Sequence, residues 1–159
     1  RKHWRICCEE GIRRPYKSLI MKFEGGNKTV MKQDDINKDL AISAAMARIA
    51  YEALDDKQGE DIKILDIHEI SVLADYFLIA HGKNQNHVKA LIDEVQDKLA
   101  LSGYYVSNIE GYQEGTWVLM DFGRIIVHVF HKEARLFYDL ERIWSDGKMI
   151  SVDQLNQTN

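Results

Sequence analysis

The chain reads as an α/β fold, a mixed five-stranded sheet with helices packed on it. Three observations predict it. Apolar residues recur at helical spacing in three separate stretches, near residues 39–55, 84–102 and 132–144. Between them lie short runs rich in β-branched and aromatic residues, the mark of strands. The two most apolar of these, 117–122 and 125–130, are separated only by Gly123-Arg124, the spacing of a two-residue hairpin. The resulting order is helix, strand, strand, helix, three strands, helix. It predicts strands parallel across the helical crossover and antiparallel at the hairpin.

The first helix is predicted from about Asp39 to Asp55, with Ile42, Met46, Ile49, Ala50 and Ala53 on one stripe and Gly59 as its stop. Residues 62–67 alternate well enough for a strand. Residues 75–80 (Asp-Tyr-Phe-Leu-Ile-Ala) are nearly all apolar after the first, as in a central strand, and Gly82 closes them. The second helix spans about Asn84 to Ser102 on a stripe of Val88, Leu91, Ile92, Val95 and Leu99, ended by Gly103. A strand begins near Tyr104 and runs toward Glu110-Gly111. The last helix, about Lys132 to Trp144, places Leu136, Phe137, Leu140, Ile143 and Trp144 on one face, and Asp146-Gly147 stops it. Residues 148–159 read as a polar tail.

In the hairpin, glycine at the first turn position sets the register. Phe122 then pairs with Ile125, Met120 with Val127 and Val118 with Val129, one apolar core face. The other face pairs Asp121 with Ile126, Leu119 with His128 and Trp117 with Phe130. A half-exposed hairpin is polar on its outer face. This one is oily around one His and one Asp, so a second layer or a partner covers it.

At 159 residues the chain suits one domain with a core that needs no staples. Cys7 and Cys8 are adjacent, which disfavours a disulfide or zinc framework and favours a reducing compartment. No run approaches the roughly 18 apolar residues of a membrane span, and no signal peptide is legible. Residues 1–36 show no sustained period and read as disordered, an expression remnant or an over-extended start. Met21 and Met31 each offer an internal start. The arginines there suit an organelle-targeting segment, and Glu9 and Glu10 count against it. Residues 1–30 carry eight Lys/Arg and three Asp/Glu, whereas residues 31–159 carry 13 and 22. An acidic body is unsuited to binding a nucleic-acid backbone and favours a basic protein partner.

Six histidines raise a metal site. His128 and His131 lie three apart in a strand and so face opposite ways. His81 and His87 flank one turn, but no Cys or clustered carboxylate completes a shell. His128 and Asp121 form a diagonal pair on one hairpin face, about 7–8 Å apart at the backbone. With no nucleophile beside them, they read as a polar island in an interface. Asp75 and Asp121, at strand ends, suit Mg²⁺-dependent nucleotidyl transfer as the rival function. No phosphate-cradling glycine loop accompanies them. No cofactor is implied. On the last helix, Arg135, Tyr138 and Glu141 fall off the apolar stripe, next to the oily hairpin face. Tyr and Arg are residue types that dominate interface energy.

Ala74-Asp75-Tyr76-Phe77-Leu78-Ile79-Ala80, His87, Glu110-Gly111, the segment 117–123, the segment 127–130 and Arg135 through Trp144, in this order and spacing, resemble the Iojap family, whose bacterial members are called ribosomal silencing factors. The likeness covers about residues 37–147. It implies a fold like the nucleotidyltransferase core without its catalytic set, and a non-enzymatic role. It also implies binding to the large ribosomal subunit through its protein fourteen, occlusion of the small subunit, and a homodimer when free. Organelle relatives assist large-subunit assembly. A bacterial cytoplasmic protein is expected, or an organelle one if the N-terminal extension is genuine. Trp117, Asp121, His128, Phe130, Arg135, Tyr138 and Glu141 are the expected contact residues; Leu140 and Trp144 suit packing.

Overall fold

The computed structural model describes residues 33–157. The first 32 positions, where the N-terminal expectations mostly fall, lie outside the described residues. In chain order the elements are α1 (Gln33–Asp56), β1 (Glu60–Asp66), β2 (Tyr76–Gly82), α2 (Gln85–Leu101), β3 (Asn108–Glu110), β4 (Trp117–Asp121), β5 (Ile125–His131), α3 (Lys132–Tyr138), α4 (Leu140–Ile143), β6 (Lys148–Ile150) and α5 (Val152–Leu155). The strands form one sheet of order β3-β4-β5-β2-β1-β6. Only β2 and β5 pair in parallel; the other neighbours are antiparallel. The two central strands are almost wholly buried, which accounts for their unbroken apolar sequences.

Strand alternation divides the core in two. On the first face Ile64, Tyr76, Leu78, Ala80, Val118, Met120, Val127 and Val129 meet α1, α2 and Leu155 of α5. On the second, Leu65, Phe77, Ile79, Leu119, Ile126 and Phe130 meet Ala134 of α3 and Leu140 of α4. The hairpin register is the expected one: Trp117 opposes Phe130, Leu119 opposes His128 and Asp121 opposes Ile126. Gly123 sits at φ +84°, the conformation a glycine-first turn needs.

Five expectations are corrected. The sheet has six strands. The supposed polar tail supplies β6, which pairs with β1, and α5, whose Leu155 is 1 % exposed. A three-residue strand is too short to show a period. Helix α1 begins at Gln33, so residues 33–36 are helical. The third strand is confined to Asn108–Glu110. The last predicted helix is two, broken at Asp139, which lies in the left-handed region at φ 45° and ψ 55°. The break changes the buried face. Ala134, Arg135 and Leu140 turn inward, while Leu136 and Phe137 are 79 % and 75 % exposed.

Gly111 joins β3 to the loop before β4. Its φ is +79°, and an added Cβ would stand 2.0 Å from the carbonyl oxygen of Trp117. Neither backbone can yield cheaply. Gly111→Ala is therefore expected to cost at least about 2 kcal/mol, combining left-handed strain with a backbone clash. A urea titration beside the parent protein measures it.

Candidate interaction surface

The second face of the hairpin is the candidate site. Trp117 on β4 stacks on Phe130 of β5 at 5.1 Å between ring centroids and 23° between planes. Tyr138, the last residue of α3, tilts against the same indole at 4.8 Å. The hydrogen bond in this cluster runs from Trp117 Nε1 to His128 Nδ1, 3.1 Å. His128 therefore accepts at Nδ1 and carries its proton on Nε2. Its ring is 1 % exposed, and burial pushes its pKa from the ordinary 6.5 down to about 3. It is neutral across the physiological range.

The expected diagonal pair of His128 with Asp121 does not form. Asp121 Oδ1 instead accepts from the backbone N–H of Gly123 at 2.7 Å, bracing the turn. Asp75 accepts from the Ser43 hydroxyl of α1 at 2.5 Å. The two carboxylates proposed for a metal thus each serve a local structural partner. His81 and His87 are likewise engaged singly. His81 Nε2 meets Glu60 at 3.0 Å, and His87 accepts from Lys83 N and donates to the Lys57 carbonyl. Among the described residues no group of three or more His, Cys, Asp or Glu is placed to hold a metal ion.

Arg135 is the largest departure from expectation. It is 6 % exposed and faces the sheet, not solvent. Its Nη2 meets Glu141 Oε1 at 2.6 Å and Asp61 Oδ2 at 3.2 Å; its Nη1 donates to the Asp61 carbonyl at 2.6 Å and faces His81 Nδ1 at 3.0 Å. A bulge at the start of β1, with Asp61 at φ 47°, turns that carbonyl inward. The cluster ties α3 and α4 to the start of β1 and the end of β2. Burial and the neighbouring guanidinium both lower the pKa of His81, against the pull of Glu60 and Asp61.

Of the seven residues expected to make contacts, Trp117 and Tyr138 stay half-exposed beside one another, and Asp121 is half-exposed at the turn. His128 and Phe130 are covered by this chain's own layer, and Arg135 and Glu141 are occupied with each other. Leu140 is buried and Trp144 packs edge-on against Phe77 at 5.0 Å, as packing residues do. The residues missed are Leu136 and Phe137, read as core and found exposed. Phe137 and Tyr138 also line an open groove of about 840 Å³ with Asn84, Gln85, Thr116 and His131. The surface is thus an aromatic ridge of Trp117, Tyr138 and Phe137 beside an open groove of mixed character.

Residues 41–159 match the family model described as "Ribosomal silencing factor during starvation". The chain belongs to the ribosomal silencing factor family. It is 44 % identical to the ribosomal silencing factor RsfS of Bacillus subtilis over 109 residues, 69 % of this chain and 92 % of that protein. It is 23 % identical to the chloroplastic protein Iojap of Arabidopsis thaliana over 137 residues, 86 % of this chain and 56 % of the relative. A crystal structure of a Chromobacterium violaceum protein superposes with a TM-score of 0.63 at 37 % identity, covering 67 % of this chain and 88 % of that one. That protein therefore shares this chain's α/β architecture. No helix among the described residues is long and apolar enough to cross a membrane.

Proposed function

We propose that this protein represses translation by binding the large ribosomal subunit, through its protein fourteen, and blocking access of the small subunit. Membership of the ribosomal silencing factor family carries this reading. The surface supports it. Trp117, Tyr138 and Phe137 are aromatic anchors on a rigid sheet-and-helix base, the composition that supplies most binding energy at protein interfaces. The acidic balance of residues 31–159 suits a basic ribosomal protein better than bare RNA.

Occlusion asks for no chemistry, only affinity and bulk. The protein is proposed to act in starved or stationary cells, in the bacterial cytoplasm or in an organelle. It is further proposed to assist large-subunit assembly and to pair with a second copy when free. Subunit joining, followed by light scattering on mixing purified subunits, tests the central step. Preincubation of large subunits with this protein is expected to slow and reduce joining. Normal joining on large subunits already saturated with the protein would end the occlusion reading.

A further inference from the structure

We propose that His128 is a positioning residue, a buried acceptor that fixes which edge of the Trp117 indole points inward and so which edge a partner meets. The inference rests on the reading of Trp117 as a docking residue. Stacking alone does not fix that edge. Phe130 stacks on the indole face at 5.1 Å and Tyr138 lies tilted against it at 4.8 Å, and a half-turn of the indole about its Cβ–Cγ bond keeps the ring plane while exchanging its edges. The indole has one polar atom, and burying it unpaired is costly. The bond of 3.1 Å from Nε1 to His128 Nδ1 removes that cost for the inward-pointing edge.

His128 is itself held. Phe77 meets its ring edge-on at 5.0 Å and 72°, and Phe130 lies nearly parallel to it at 6.4 Å. It sits at the centre of β5, opposite Leu119, on a strand with no exposed residue between Ile125 and Phe130. Its other nitrogen, Nε2, has no hydrogen-bond partner among the described residues. For packing alone an apolar side chain would serve better, because imidazole brings an unpaired N–H into the core. What imidazole supplies that leucine cannot is the acceptor for Trp117.

The test uses the full chain, ¹⁵N-labelled, with purified large ribosomal subunits as the binding probe. The Trp117 indole N–H, assigned by its loss in Trp117→Phe, is expected to exchange with water at least about tenfold more slowly than an exposed indole. Exchange as fast as a free indole would overturn the proposal without any variant. His128→Leu is expected to release the indole, speeding exchange and weakening subunit binding by about tenfold. His128→Asn, whose Oδ1 falls near the place of Nδ1, is expected to restore part of both. A folded His128→Leu protein with unchanged exchange and binding would overturn the proposal, as would an Asn variant whose indole exchanges as freely as in Leu. If the Leu variant fails to fold, wild-type exchange and the Asn variant decide. Should Trp117→Ala bind subunits as well as the parent, the docking role fails, while the exchange measurements still decide whether His128 orients the ring.

Discussion

Arg135→Ala is expected to lower stability by about 3 kcal/mol or more, the range for breaking a buried ion pair by removing one partner. The guanidinium holds Glu141 Oε1 with two nitrogens, at 3.0 and 2.6 Å, and caps the Asp61 carbonyl. Truncation leaves a half-buried carboxylate and a turned-in carbonyl with no donor. The arm to Asp61 Oδ2 adds little, because that carboxylate is 56 % exposed and water screens it. Arg135→Lys is expected to recover only part of the loss, since one ammonium cannot reproduce the planar fork. Urea unfolding at pH 7 measures both. A midpoint unchanged by alanine would mean that α3 and α4 are held by their apolar contacts alone.

Acid is the second large lever. His128 is neutral in the native state down to a pKa of about 3, whereas in the unfolded chain it takes a proton near the ordinary 6.5. Between those values the unfolded state binds more protons, so stability falls as pH drops below 6.5. At two units below, the loss from this residue is roughly 2–3 kcal/mol. His81, whose pKa is also lowered, pushes the same way, so only part of the acid sensitivity belongs to His128. His128→Phe is expected to flatten the fall in stability between pH 7 and pH 4.5, read by urea titrations at both. Equal slopes in parent and variant would contradict a buried neutral imidazole.

The hairpin was legible because two local rules agreed. Gly-X fixed the turn, and a period of two then assigned every side chain from Trp117 to Phe130 to a face. That logic also identified an oily second face needing a cover. It could not show that the cover comes from this chain, since docking of α3 and α4 is a tertiary event. The same gap explains Arg135. By helical phase it falls off the apolar stripe, but the stripe assumed one straight helix, and Asp139 breaks it. No Gly or Pro marks that break in the sequence. Leu136 and Phe137, placed inside by the unbroken phase, are outside for the same reason. At the C-terminus a signal was present and unread: Ser151 and Gln154 form a capping box, with Ser151 N donating to Gln154 Oε1 at 2.7 Å. The pairing of Trp117 with His128 was only half legible, because Trp117 and Asp121 stand at equal offsets from Leu119, which opposes His128, and the turn claims Asp121.

The aromatic ridge is most directly tested by equilibrium binding of folded Trp117→Ala and Phe137→Ala proteins to purified large ribosomal subunits, read by co-sedimentation. Trp117→Ala is expected to lose about 2 kcal/mol or more, roughly a thirtyfold rise in Kd, with a smaller loss for Phe137→Ala. Two folded variants that sediment with large subunits at the parent's affinity would show that the partner binds elsewhere on the molecule.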